Sequence, residues 1–230
     1  MQTYYLVRKQ ALMGYFIQAV RIAEPILVSR YGAAFTEGII TQTRQEFESL
    51  LFHLPYIGGA ENPLTGSLIQ SAWYLALYRV MKSYGKNVVE TGELLYHIVE
   101  AAILKYPHLL NRLAGKMRFA GFSLSRLKKH AEHSQDAEYP EDWIYQVSEG
   151  DGVSFDFGID YKRCAICEFY KAHDAEELLK YVCLLYFPIS QAQGTGLVRT
   201  MSIGEGHDVC DFRFKDGREI APAWPPRFKQ

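Results

Sequence analysis

Apolar side chains at Tyr4, Leu6, Tyr15, Phe16, Val20, Ile22, Ala23, Ile26 and Leu27 recur at roughly helical spacing. They predict an amphipathic N-terminal helix, broken at Tyr31-Gly32. A second helix is expected over 35–52. Leu54 to Gly59 is rich in chain breakers and reads as a loop. Asn62-Pro63 then offers a capping side chain followed by a residue that needs no N–H partner. The helix expected after it carries the stripe Leu68, Ile69, Ala72, Leu75, Ala76 and Val80. Gly85 to Asn87 ends it. Asn87 and Glu90 have the spacing of a reciprocal cap for a helix over 88–105, which Pro107 closes. Residues 109–133 read as one further, basic helix with Arg112, Lys116, Arg118, Arg126, Lys128 and Lys129 on a solvated face.

After the polar stretch from Ser134 to Pro140 the period changes to two. Trp143, Tyr145 and Val147 alternate with Ile144 and Gln146, and Val153, Phe155 and Phe157 with Ser154 and Asp156, with a turn at 148–152 between them. This predicts a hairpin. Cys164 to Tyr170 reads as a short helix. Asp174 and Glu177 are spaced to cap another, which buries Leu178, Leu179, Val182, Leu185 and Tyr186 and stops at Pro188. A final hairpin is expected to pair Leu197–Ile203 with Val209–Phe214. The tail from Pro222 to Lys229 should be irregular. The expected class is α+β: a helical region over 1–134 packed on a smaller antiparallel region over 141–230 with two short helices, the two forming one compact unit.

Composition narrows the options. Apolar residues make up 48% of the 230, enough for a core, and the formal net charge is −1. No basic excess points to nucleic acid, and no export signal or membrane-length apolar run is evident. The expectation is a cytoplasmic protein whose partner is a small-molecule substrate rather than nucleic acid or a membrane. In that compartment thiols stay reduced, so cysteines point to metal binding or reactivity.

All four cysteines, Cys164, Cys167, Cys183 and Cys210, fall within 164–210. Cys164 and Cys167 share a helix face, and the free N–H groups of a helix start favour thiolate. Three readings stay open: a zinc or iron–sulfur site on the four sulfurs, covalent catalysis by one thiolate, or simple burial. His130 and His133 share a face but lack further ligands, and read as surface. If Ile203 opposes Val209 in the last hairpin, Arg199 opposes Arg213 with Asp211 between them. Two guanidiniums beside one carboxylate would suit a substrate carboxylate held bidentately. A slip of one residue would reverse that placement.

Phe155 to Tyr161, Cys164-Ala165-Ile166-Cys167, Cys183, Arg199-Thr200 and Gly206 to Phe214 together resemble the L-2-amino-thiazoline-4-carboxylic acid hydrolase family. Leu54 to Gly59, Asn62 to Thr65 and Leu75 to Tyr78 extend the likeness upstream. The resemblance implies hydrolysis of a non-peptide C–N bond in a cyclic amidine that bears a carboxylate. It implies Cys183, Cys210 and Asp211 as catalytic candidates, and Arg199 and Arg213 as candidates to hold the substrate. The alternative is a non-catalytic sensor or carrier with zinc or an iron–sulfur cluster on Cys164, Cys167, Cys183 and Cys210. One departure stands out: Tyr186 occupies the place, three residues after Cys183, where the family tends to carry an acid.

Overall fold

The structure, a computed structural model, describes residues 3–226. Ten helices and three strands follow in order among them. They are α1 (Thr3–Val7), α2 (Lys9–Tyr31), α3 (Ala33–Leu50), α4 (Thr65–Ser83), α5 (Val88–Leu104), α6 (His108–Phe119), α7 (Gly121–Ser134), β1 (Ile144–Glu149), β2 (Phe157–Arg163), α8 (Ala165–Lys171), α9 (Glu176–Leu184), α10 (Tyr186–Gln193) and β3 (Cys210–Phe214). The class is α+β, with the antiparallel sheet ordered β1-β2-β3.

Helix α4 lies at the centre. It is buried on most of its circumference, from Leu68 through Met81, because α3, α5, α8 and α9 surround it. The Tyr170 hydroxyl donates to the Ser71 carbonyl at 2.9 Å and ties α8 to it. Helix α2 is long and apolar enough, by length and composition alone, to cross a membrane, yet it sends Leu12, Met13, Phe16, Ala23 and Leu27 into the core. The break before α3 falls at Gly32, with φ 82°. Asn87 caps α5 as the spacing predicts, its Oδ1 accepting from the Glu90 N–H at 2.9 Å.

Helix α5 meets α9 closely at Gly92, where a Cβ would lie 2.5 Å from Cγ of Tyr181. Gly92→Ala gains about 1 kcal/mol of helix propensity but forces overpacking that costs about 1–3 kcal/mol. The clash wins because Tyr181 is itself buried. Thermal unfolding is therefore expected several degrees lower than in the parent. A raised midpoint would show that the two helices have room to part.

Several expected boundaries move, each for a local reason. The basic stretch is two helices, because Ala120 is extended (ψ 139°) and the chain turns there. Helix α6 packs on α10, whereas α7 packs on β1. Helix α4 starts at Thr65 because Asn62 Oδ1 takes the Leu64 N–H in a turn of its own. The second strand is Phe157–Arg163, not 153–157. Asp151 Oδ1 gathers the N–H groups of Val153, Ser154 and Phe155 into a compact loop first. Asp174 does not cap α9; it sits at φ 52°, and Ala175 holds the cap position. Pro188 does not end a helix but stands in the first turn of α10, where a missing N–H costs little. Of the expected tail, 222–226 forms no helix or strand, and 227–229 lies outside the described residues.

Candidate functional site

The inner face of the sheet is set by its register. Tyr145 pairs with Tyr161 and Tyr161 with Cys210; Ile159 pairs with Phe212, and Phe157 with Phe214. Directly paired residues point the same way, so Tyr161, Cys210 and Phe212 share one side. Asp160 and Arg213 lie on the other, joined by an ion pair of 2.8 Å. Helix α8 follows β2 without a loop and starts at Cys164, its N-cap residue. Helix α9 brings Cys183, and the turn at Ser202–Gly206 closes over it. A Cβ on Gly204 would lie 3.0 Å from Cys183 Sγ.

The four thiols lie within electrostatic reach of one another, but they are not equivalent. The Cys167 thiol lowers the pKa of Cys164, as do the N–H groups of Cys167 and Ile166 and the Trp143 indole; together they outweigh burial. Cys167 is pushed up by its role as donor to Cys164 and by burial. Burial raises Cys183 to about 11, against the nearby Arg199 cation. It also raises Cys210, against the Ile203 N–H, which donates to its sulfur at 3.2 Å. Near neutral pH, Cys164 is thus the thiol of the four whose surroundings favour the anion.

A metal reading needs three or four ligands gathered about one point. Among the described residues, no group of three or more His, Cys, Asp or Glu side chains is so arranged. The described residues therefore lend no support to the zinc or iron–sulfur set of Cys164, Cys167, Cys183 and Cys210.

The expected juxtaposition of Arg199 and Arg213 does not form. Val198, not Arg199, stands opposite Arg213, with N–H···O bonds of 2.9 and 2.8 Å. Beyond that bridge no regular ladder continues, because Asp211 replaces it. Its Oδ1 accepts from the Thr200 N–H at 2.8 Å and the Met201 N–H at 2.5 Å, and its Oδ2 accepts from the Thr200 hydroxyl at 2.6 Å. Burial pushes the Asp211 carboxyl up, but these bonds outweigh it and hold it below its usual range. The one-residue slip carries Arg199 to the cysteine side. Its side chain is only 4% exposed, donates to the Cys183 carbonyl at 2.9 Å and lies 5.5 Å from the rings of both Phe187 and Phe212. Its nearest carboxylate, Glu205, is 3.8 Å away.

Asp211 thus has a folding role that can be separated from chemistry. Asp211→Ala removes two acceptor oxygens that take three hydrogen bonds and is expected to destabilise the fold by about 2–4 kcal/mol. Asp211→Asn keeps the oxygen that takes the two N–H groups and should cost much less. Denaturant midpoints of the two variants decide this; equal losses would contradict it. The carboxyl's depressed pKa also stabilises the fold above its unfolded value, and that share is lost as the pH falls through the folded pKa.

A crevice of about 40 Å³ opens beside this cluster, walled by Arg118, Tyr161, Tyr186, Phe212 and Phe214. Burial raises the pKa of the Tyr161 and Tyr186 phenols, so both stay neutral, and both feel the Cys164 thiol. Tyr186 is 40% exposed as a residue, but its phenol end is buried and its ring packs edge-on against Phe212 at 5.3 Å. Arg118 sends its guanidinium 5.0 Å over the Phe214 ring. It has no carboxylate partner among the described residues, and burial lowers its pKa. Its place in a basic run hid it in the sequence; the bend at Ala120 is what separates α6 from the solvated face of α7. None of the four cysteines lines this crevice, and none lines the larger grooves. A 780 Å³ apolar groove runs between α2, α4 and α5. A 480 Å³ groove between α7 and the 57–64 loop takes in His130 and His133.

Comparison with known proteins gives one finding. The family model described as L-2-amino-thiazoline-4-carboxylic acid hydrolase matches residues 67–214. No curated protein and no solved structure matches.

Proposed function

The chain belongs to the L-2-amino-thiazoline-4-carboxylic acid hydrolase family, and on that premise we propose that it opens a cyclic amidine-type ring bearing a carboxylate, using Cys164 as the nucleophile. The observation that carries the reading is the unequal state of the four thiols: Cys164 is held toward thiolate, near enough to the neutral Tyr161 and Tyr186 phenols for its charge to act on both.

The electrophile is the ring carbon between sulfur and two nitrogens. The Cys164 thiolate adds to it, and a ring bond from that carbon breaks. A neutral phenol, Tyr161 or Tyr186, gives its proton to the departing ring atom. Water then attacks the enzyme-bound carbon, returns a proton to the tyrosinate and expels the Cys164 thiolate, so both residues are restored and the net change is one water added. Arg118 meets the substrate carboxylate from the crevice wall. Arg199, packed against Cys183 and the Phe212 ring, supplies fixed positive charge behind it. The crevice has room for little more than a water or two, so substrate entry requires Tyr186 to swing away from Phe212.

The test is incubation of the purified protein with 2-aminothiazoline-4-carboxylate, with amine-specific and thiol-specific reagents reading the product. C–N cleavage releases a primary amine and C–S cleavage a thiol. Ring opening that disappears in Cys164→Ser supports the reading. Neither product from the parent protein would overturn the activity, and full activity in Cys164→Ser would overturn the nucleophile.

A further inference from the structure

The 780 Å³ groove between α2, α4 and α5 is far larger than the crevice beside the thiols. No Cys, His, Asp or Glu stands on its walls. It therefore lacks the usual groups that take up or deliver protons near neutral pH, and it suits binding rather than reaction. Its volume and its mainly apolar walls are those of a small-molecule site.

The space follows from the sequence. Each helix turns one face to the groove, and each face includes a small residue: Ala11 and Ala19 on α2, Gly66 on α4 and Ala102 on α5. A Cβ on Gly66 would meet nothing within 4 Å, so this wall is open. Two turns further along α4, on the same face, stands Trp73. It is 5% exposed, and its indole Nε1 is buried with no hydrogen-bond partner among the described residues. A buried N–H left unpaired costs about 1–3 kcal/mol, which an acceptor brought by a ligand would recover.

The charge on the walls has one sign. Arg8 and Lys105 line the groove, both are exposed, and no acid lines it with them. Arg8 lies 4.1 Å over the Tyr4 ring, and neither cation has a carboxylate partner among the described residues. The neighbouring acids face elsewhere: Glu100 lies 3.4 Å from His97, and Glu61 lines the separate groove beside α7. We propose that this groove binds an apolar carboxylate, an aliphatic chain ending in one acid group. The chain covers the apolar walls of α2, α4 and α5, and the carboxylate pairs with Arg8 or Lys105. A neutral chain would leave both cations and the Trp73 N–H unanswered, and a cationic one would be repelled. The inference does not rest on the ring-opening activity, whose thiols and crevice lie apart from this groove.

The experiment is calorimetric titration of the full chain with dodecanoate, kept below its micellar concentration, against dodecan-1-ol and dodecylammonium. Dodecanoate is expected to bind at least tenfold tighter than either. Gly66→Phe puts a ring into the open wall and should weaken dodecanoate at least tenfold, with unchanged circular dichroism. Arg8→Gln with Lys105→Gln leaves the apolar walls intact and should bring dodecanoate down to the affinity of the alcohol. Tryptophan emission should change on binding, and that change should vanish in Trp73→Phe. No binding of dodecanoate would overturn the proposal, as would equal binding of all three probes. Binding untouched by both Gly66→Phe and the double glutamine change would place the ligand elsewhere and equally overturn it. A parent dimer in light scattering that Gly66→Phe dissolves would assign the groove to self-association instead.

Discussion

Cys164→Ser is expected to lower kcat/KM for ring opening by about 10³-fold or more, the scale of losing a nucleophile whose partners cannot replace it. The reason lies in its neighbours. Cys167, two backbone N–H groups and the Trp143 indole all favour the sulfur anion, whereas burial keeps Cys183 near 11 and Cys210 raised. A serine hydroxyl in the same place stays protonated at neutral pH. The pH profile carries the same signature. The active form is the thiolate, so the rate falls as the pH drops through the Cys164 pKa. That acid limb should lie below the value of about 8.5 for a free thiol. A limb near 11 would move the nucleophile to Cys183. Cys167→Ala should shift the limb upward, because it removes the thiol that donates to the Cys164 sulfur.

Arg118→Met is expected to lower kcat/KM for a carboxylate-bearing ring by about 10²-fold, roughly the 1.5–3 kcal/mol of hydrogen bonding to a charged group. Methionine's unbranched apolar side chain can cover the Phe214 ring where the guanidinium lay, so the fold should hold. The discriminating comparison is the same ring without its carboxylate: parent and variant should turn it over alike. A loss equal for both substrates would show that Arg118 shapes the site rather than grips the acid. Arg118 suits this role because no carboxylate of the protein already occupies it among the described residues, whereas Arg213 is held by Asp160 at 2.8 Å.

Local rules were enough to read much of the fold. The Asn87 cap, the Gly32 break and the switch to alternation at Trp143 all rest on interactions within a few residues, and each is present. The start of α8 at Cys164 is equally local, although the resemblance pointed to Cys183, Cys210 and Asp211 rather than to Cys164 as the catalytic candidates. The misplacements share another origin: a side chain that satisfies backbone groups which a regular element would otherwise satisfy. Asp151 shortens β2 in this way, and Asp211 displaces the last hairpin. One residue of slip at Val198 then exchanges the faces of Arg199 and its neighbours, because side-chain direction in a strand alternates. Arg118 was invisible for a different reason. A basic run read as one helix gives no hint that a bend at Ala120 frees one of its cations to line a crevice. Tyr161 and Tyr186 likewise become a pair only through tertiary packing.

The most direct measurement is limited alkylation by iodoacetamide at pH 7, with mass spectrometry locating the label as a function of time. Cys164 should be modified first, at a rate whose pH dependence matches the acid limb of activity, and inactivation should track that label alone. First labelling at Cys183 or Cys210, or full activity after Cys164 is alkylated, would contradict the assignment.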